Sequence, residues 1–150
     1  MHEVLKKLGY TNQNPILIMN APEEYKHVMA SIDAEIHNEA QGKYRFIQIF
    51  SKDISEANEY VNEAIQALME DGHIWLCYPK GTSKKYKSDI NRTKTWELFS
   101  PYNYEPVTQV SIDMDWTAMR FRHVDYIKAL KRKIASTEKG KKRIWGRLLK

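Results

Sequence analysis

The sequence predicts an α/β fold: a three-layer, open, mostly parallel sheet of about five strands, Rossmann-like, with order 2-1-3-4-5 and the last strand antiparallel. Three observations predict it. Short apolar runs recur at 16–19, 44–50 and 73–79. Longer stretches with one apolar stripe at helical spacing separate them. Two further alternating segments, 107–113 and 116–122, follow at the end. Strand and helix in alternation define a parallel sheet covered on both faces, and right-handed crossovers leave few topologies.

The elements follow in order. Residues 1–14 are polar and predict a short helical turn and a loop. The unbroken run Ile16, Leu17, Ile18, Met19 suits a strand buried on both faces. Asn20 then offers a helix cap and Pro22 a first-turn residue. Tyr25, Val28, Met29, Ile32 and Ile36 form a stripe that predicts one helix up to Gly42. The segment 44–50 alternates as a strand, and Asp53 to Glu56 is a capping box. Tyr60, Val61, Ala64, Ile65, Leu68 and Met69 make the second stripe, ended by Gly72. The short apolar run 73–79 reads as a central strand. Ser88 or Asp89 can cap a helix to about Phe99, which "PYNYEP" breaks. "VTQVSID" and "WTAMRFR", joined by a tight turn, predict an antiparallel hairpin. A helix over 124–137 closes a single domain, 1–137, and 138–150 is a basic C-terminal segment with helical spacing.

The chain of 150 residues is 42% hydrophobic and 29% charged, an ordinary globular composition. No run approaches the roughly 18 apolar residues of a membrane span, and the start lacks the pattern of a signal peptide. Cys77 is the only cysteine and lies in an apolar run. A buried, inert thiol in a reducing cytoplasm is the expectation. The net charge of +5 is uneven. Residues 128–150 hold ten Lys and Arg against Glu138, or +9, while 1–127 hold fourteen against eighteen acids, or −4.

The stretch "YPKGTSKKYKSDINRTKTW", 78–96, concentrates five lysines and Arg92 against Asp89 directly after the central strand. In open α/β sheets, ligands bind outside the carboxyl ends of the strands where the order reverses. With order 2-1-3-4-5 the loops after the first and third strands meet there, so Pro22, Lys80 and Arg92 are expected to rim one cleft. Helix N-termini and these cations favour a phosphate- or carboxylate-bearing ligand. The candidate ligand-binding residues are Asn20, Tyr78, Lys80, Ser88, Asp89, Arg92, Asp113, Trp116, Arg120 and Arg122. The other reading of Lys84, Lys85 and Lys87 is a solvated surface loop. Arg120 and Arg122 share a strand face with Trp116, either as an anion-binding strip or as ion pairs to Asp113 or Asp125. Asp113 and Asp115 either work as acid–base carboxylates or form the turn through Asx hydrogen bonds.

No dinucleotide fingerprint, Walker motif or serine-hydrolase elbow is present. Histidines 2, 27, 37, 73 and 123 have no metal-ligand spacing, so no metal or particular cofactor is indicated. An enzyme using Lys80 with Asp89 or Asp113 is the weakest alternative. The competing reading is nucleic-acid binding led by the basic segment, through Lys139, Lys141, Lys142, Arg143, Trp145 and Arg147.

Three separated stretches, "IWLCYPKGTSK", "KSDINRTKTWELF" and "PVTQVSIDMDWTAMRFR", resemble a bacterial family of unknown function. Its pattern is a strand ending Tyr-Pro-Lys, a Ser-Asp-x-x-Arg helix start, and a closing Asp-x-x-Trp-x-Ala-x-Arg-Phe-Arg. The resemblance covers about residues 15–122. It points to Tyr78, Pro79, Lys80, Ser88, Asp89, Arg92, Asp113, Trp116, Arg120, Phe121 and Arg122. Thr93 and Thr117 depart from the pattern, in which an acid and a serine are common. The resemblance implies a small cytoplasmic α/β domain and no particular activity.

Overall fold

The structure, a computed structural model, describes residues 2–127. It is an α/β fold with one six-stranded sheet in the order β2-β1-β3-β4-β6-β5. The strands are β1 (Ile16–Met19), β2 (Ile36–His37), β3 (Tyr44–Phe50), β4 (Leu68–Pro79), β5 (Tyr104–Ser111) and β6 (Trp116–His123). The helices are α1 (Glu3–Lys7), α2 (Lys26–Met29), α3 (Ile54–Ala67) and α4 (Arg92–Phe99). β1 pairs in parallel with β2 and β3, and β3 in parallel with β4. β6 is antiparallel to both β4 and β5, so β6 alone runs against the other five.

Two apolar clusters make the layers. Leu17, Met19, Ile47, Ile49, Leu76, Tyr78, Met119 and Phe121 pack under α3 and α4. Ile16, Ile18, Phe46, Phe50, Trp75, Cys77, Trp116 and Ala118 pack on the other face with Leu5, Leu8, Tyr25 and Val28. All four residues of β1 are buried, which is why it reads as an unbroken apolar run. Phe99 stacks flat on Phe121 at 3.7 Å and 5°, tying α4 to β6. Gln48, wholly buried on the second face, is satisfied by the Tyr25 hydroxyl at 3.1 Å and the Cys77 sulfur at 3.7 Å. Cys77 itself is buried and its thiol is pushed up to about 12 by desolvation.

Several expectations are corrected. The helix expected from Asn20 to Gly42 is a 3-10 turn at Glu23–Tyr25 and the four residues of α2. Ile36 leaves that stripe to pair with Ile16 as the edge strand β2. Strand 44–50 therefore lies between 16–19 and 68–79, not outside them. The hairpin order is inverted too: 116–123 is interior and 104–111 is the edge. Pro106, which has no N–H for a ladder, suits an edge strand. α3 stops at Ala67 and β4 begins at Leu68, with a register shift between Tyr44 and Phe46. A Cβ on Gly72 would meet Leu68 Cδ1 at 2.8 Å and the Arg45 and Met69 carbonyl oxygens at 3.2 Å, so a larger residue there would displace the Leu68 side chain and crowd the backbone. Asn91, not Ser88 or Asp89, caps α4 by accepting from the Lys94 N–H at 2.9 Å. Val124–Tyr126 is a 3-10 turn. The rest of the expected 124–137 helix and the basic segment with Lys139, Lys141, Lys142, Arg143, Trp145 and Arg147 lie outside the described residues.

Candidate ligand-binding site

The chain leaves β1 for β2 on one side and crosses to β3 on the other, so the order reverses between β1 and β3. The loops at their carboxyl ends are Asn20–Pro22 and Ser51–Lys52. Asn20 stands at φ 60°, a left-handed conformation that asparagine tolerates. Its side-chain amide donates to the Phe50 carbonyl at 2.9 Å and to Glu56 at 3.2 Å. Ser51 donates to the same Glu56 oxygen at 2.9 Å.

The lysine-rich loop 80–91 is fastened at four places. The Lys80 N–H donates to the Asp115 carbonyl at 2.8 Å, and the Ser83 hydroxyl donates to the Asp115 carboxylate at 2.7 Å. Tyr86 donates to Glu24 at 2.5 Å. Ser88 donates to the Lys52 carbonyl at 2.7 Å. Asp89 accepts from the Ile54 N–H at 2.8 Å, adding a second cap to α3 beside Asp53. These bonds tie the loop to three neighbouring segments, so the reading of a loose solvated loop does not hold for it as a whole.

The loop divides the carboxyl edge into two clefts. The first, about 300 Å³, is lined by Asn20, Pro22, Glu24, Lys52, Lys85, Tyr86 and Trp116 with their neighbours. Trp116 forms its base, 2% exposed, edge-on to Phe50 at 5.3 Å and tilted to Tyr86 at 5.1 Å. Glu24 accepts from Tyr86, from Trp116 Nε1 at 3.1 Å and pairs with Lys85 at 3.4 Å. Burial alone would raise its pKa. The donors from Tyr86, its own backbone, Trp116 and Lys85 outweigh that and hold it at about 2. Lys52 and Lys85 both sit over the Tyr86 ring, at 5.1 and 5.2 Å.

The second cleft, about 330 Å³, is lined by Tyr78, Lys80, Asn91, Arg92, Gln109 and Thr117 with their neighbours. The expectation that Pro22, Lys80 and Arg92 rim one cleft is corrected: Pro22 lines the first, Lys80 and Arg92 the second. The physical reason is side-chain alternation. Trp116 and Tyr78, close to each other on paired strands, belong to opposite faces of the sheet.

Of the other candidates, Ser88 and Asp89 are consumed in fastening the loop. Asp113 accepts from the Asp115 and Trp116 N–H groups at 2.8 Å each, an Asx turn. Lys80 donates to Ser111 Oγ at 2.6 Å, so its pairing with Asp89 or Asp113 is corrected as well. Arg120 and Arg122 do share a face with Trp116, but they lie toward the far end of β6, away from the carboxyl edge. Arg122 makes a two-pronged pair with Asp71 at 2.7 Å each, in place of Asp113 or Asp125. Arg120 Nε is buried without a hydrogen-bond partner among the described residues. Glu24, Lys52 and Tyr86 were missed by sequence reasoning. Lys52 follows a recognised strand, and the correct strand order would have selected it.

No family model matches the chain, and no curated protein does. Solved structures do. One is the N-methyltransferase NodS from Bradyrhizobium japonicum WM9, 12% identical, TM-score 0.53, covering 81% of this chain and 92% of that one. The same NodS is matched in complex with S-adenosyl-L-homocysteine, TM-score 0.52 at 11% identity, covering 81% and 84%. The pyocyanin biosynthetic protein PhzM matches at TM-score 0.57 and 7% identity over 82% of this chain and 54% of that one. The ribosomal protein L11 methylase from Lactobacillus delbrueckii subsp. bulgaricus matches at 0.51 and 9%, over 80% and 76%. These likenesses define the chain as a Rossmann-like α/β domain with the fold of those proteins. No helix of the described residues is long and apolar enough to cross a membrane.

Proposed function

We propose that the chain is a small-molecule-binding α/β domain whose ligand carries a phosphate or carboxylate, held in the first cleft at the carboxyl ends of β1 and β3. The position supports it, since this is where the strand order reverses. The observation that carries it is Lys52. Around the cleft Glu23 pairs with Lys26 at 3.0 Å, Glu24 with Lys85, and Glu56 takes Asn20 and Ser51. Lys52 lines the cleft with no carboxylate within 4 Å among the described residues. A cation left over at a concave edge, with Lys85 nearby, favours an anion.

The NodS complex with S-adenosyl-L-homocysteine raises S-adenosylmethionine as a candidate. The donor set here does not fit it. Its sulfonium is a cation, and the cleft's carboxylates are already engaged while its remaining charge is positive. Asn20 spans the gap between β1 and β3, and Pro22 has no N–H to offer.

The test is a thermal-shift and calorimetric screen with nucleoside phosphates, sugar phosphates and dicarboxylates, beside S-adenosylmethionine. Stabilisation by an anionic compound, weakened about tenfold or more by Lys52→Ala, is the expected result. Strongest stabilisation by S-adenosylmethionine, indifferent to Lys52→Ala, overturns the reading. The +9 charge of 128–150 favours a competing nucleic-acid reading. Oligonucleotide binding that falls steeply with salt and vanishes when Lys141, Lys142 and Arg143 become glutamine would establish it.

A further inference from the structure

The second cleft opens on the α3/α4 face and shares no lining residue with the first. Lys80 enters it from the end of β4, where its N–H is bonded to the Asp115 carbonyl at 2.8 Å. Arg92 is the first residue of the eight-residue helix α4, whose cap Asn91 also lines the cleft. A helix N-terminus repels a cation, so Arg92 is electrostatically misplaced unless an anion compensates it. No carboxylate within 4 Å does so for Arg92 or Lys80 among the described residues. Arg92 instead lies over Trp96 at 5.7 Å, which leaves its guanidinium edge open to an oxygen ligand.

Tyr78 is the independent observation. It is 96% buried by its 4% exposure, packed in the core beneath α3 and α4, yet it lines this cleft. Its hydroxyl makes no hydrogen bond among the described residues and is not sealed from solvent, so this nearly buried side chain meets solvent at its polar end, beside the cleft that it lines. The Arg92 charge acts on that phenol, opposing the rise that burial causes. So a donor, two cations and the N-terminal N–H groups of α4 converge on one concave space.

We infer that this cleft is a second anion site, built for one phosphate or carboxylate group by Tyr78, Lys80, Arg92 and the first N–H groups of α4. Lys80 and Arg92 supply the charge, and Arg92 a fork for two oxygens. The Tyr78 hydroxyl supplies a neutral donor from below. Lys80 also donates to Ser111 Oγ at 2.6 Å, a neutral partner that leaves its charge uncompensated. The site does not depend on the first cleft's having a ligand.

The full chain is titrated with inorganic phosphate, and separately with acetate, while backbone amide resonances are followed by NMR. Saturable shifts at Lys80, Arg92 and Thr93 are expected for at least one of the two. Arg92→Ala and Lys80→Ala should each weaken binding about tenfold or more, and Arg92→Lys should recover only part. Tyr78→Phe removes the hydroxyl while keeping the ring, and should weaken binding by a smaller factor with an unchanged melting profile. Lys52→Ala, in the first cleft, should leave these shifts as they are, and Lys84→Ala is the control for loop charge. Shifts that do not saturate, or binding indifferent to both Arg92→Ala and Lys80→Ala, overturn the inference. Loss on Lys52→Ala with retention on Arg92→Ala assigns the phosphate to the first cleft alone and overturns it too.

Discussion

The Tyr86 hydroxyl donates to the Glu24 carboxylate at 2.5 Å, joining residues 62 positions apart in the chain. This bond, with Trp116 and Lys85 on the same carboxylate, closes the loop after β4 over the loop after β1. Replacing Glu24 by glutamine keeps the shape and an acceptor but removes the charge. It should destabilise the protein by about 1–2 kcal/mol at neutral pH. The pH dependence follows from the depressed pKa. Above 4.5 the carboxylate is ionised folded or unfolded, and its stabilisation is complete. As pH falls from 4.5 toward about 2, the unfolded chain takes up the proton first, and this stabilisation is lost. Thermal melts across that range should show a shallower acid slope for Glu24→Gln than for the natural chain. Equal slopes refute the assignment.

Asp89 lies within a lysine-rich stretch and invites a role at the ligand, yet its carboxylate caps the N–H of Ile54 at 2.8 Å. Asp89→Ala should lower stability by about 1 kcal/mol, as loss of a helix cap does. Anion affinity in either cleft should change little. A selective loss of ligand affinity without a drop in melting temperature would return Asp89 to the site.

Cys77 is wholly buried and its thiol is held up near 12 by desolvation. A disulfide reagent should therefore leave the folded chain unmodified at neutral pH and label one thiol on denaturation. Prompt labelling of the native protein would place Cys77 outside the core.

Much of the fold was legible. β1 and the centre of β4 announce themselves as apolar runs, as strands covered on both faces do, and β3 by its alternation. α3 was legible from its stripe and from the Asp53 cap, whose carboxylate accepts from the Glu56 N–H at 3.0 Å. The split of Thr117, Met119 and Phe121 from Trp116, Ala118, Arg120 and Arg122 also holds, since alternation is a local property of a strand. β2 was not legible. Its two residues pair with β1, and Ile36 fits a helical stripe as well as it fits an edge strand.

The site was legible only by region. Asn20, Tyr78, Lys80, Arg92 and Trp116 do come to the carboxyl edge, as the rule for open sheets requires. Their division between two clefts was hidden, because it depends on which face each side chain takes and on where Tyr86 is tied. Lys52 stayed out of view for a related reason. The sequence does not reveal the edge strand β2, which moves the reversal of strand order to between 16–19 and 44–50.

The amino-acid sequence by itself determined the α/β class, the positions of the main strands and the crowding of positive charge after β4. Those are consequences of short-range periodicity and composition. Tertiary structure alone decided strand order, the pairing of Arg122 with Asp71, and the fastening of loop 80–91 to Glu24, Lys52, Ile54 and Asp115. Each joins residues distant in the chain. Local propensity carries no information about which distant partner satisfies a buried or half-buried polar group; only the closed packing of both sheet faces selects it.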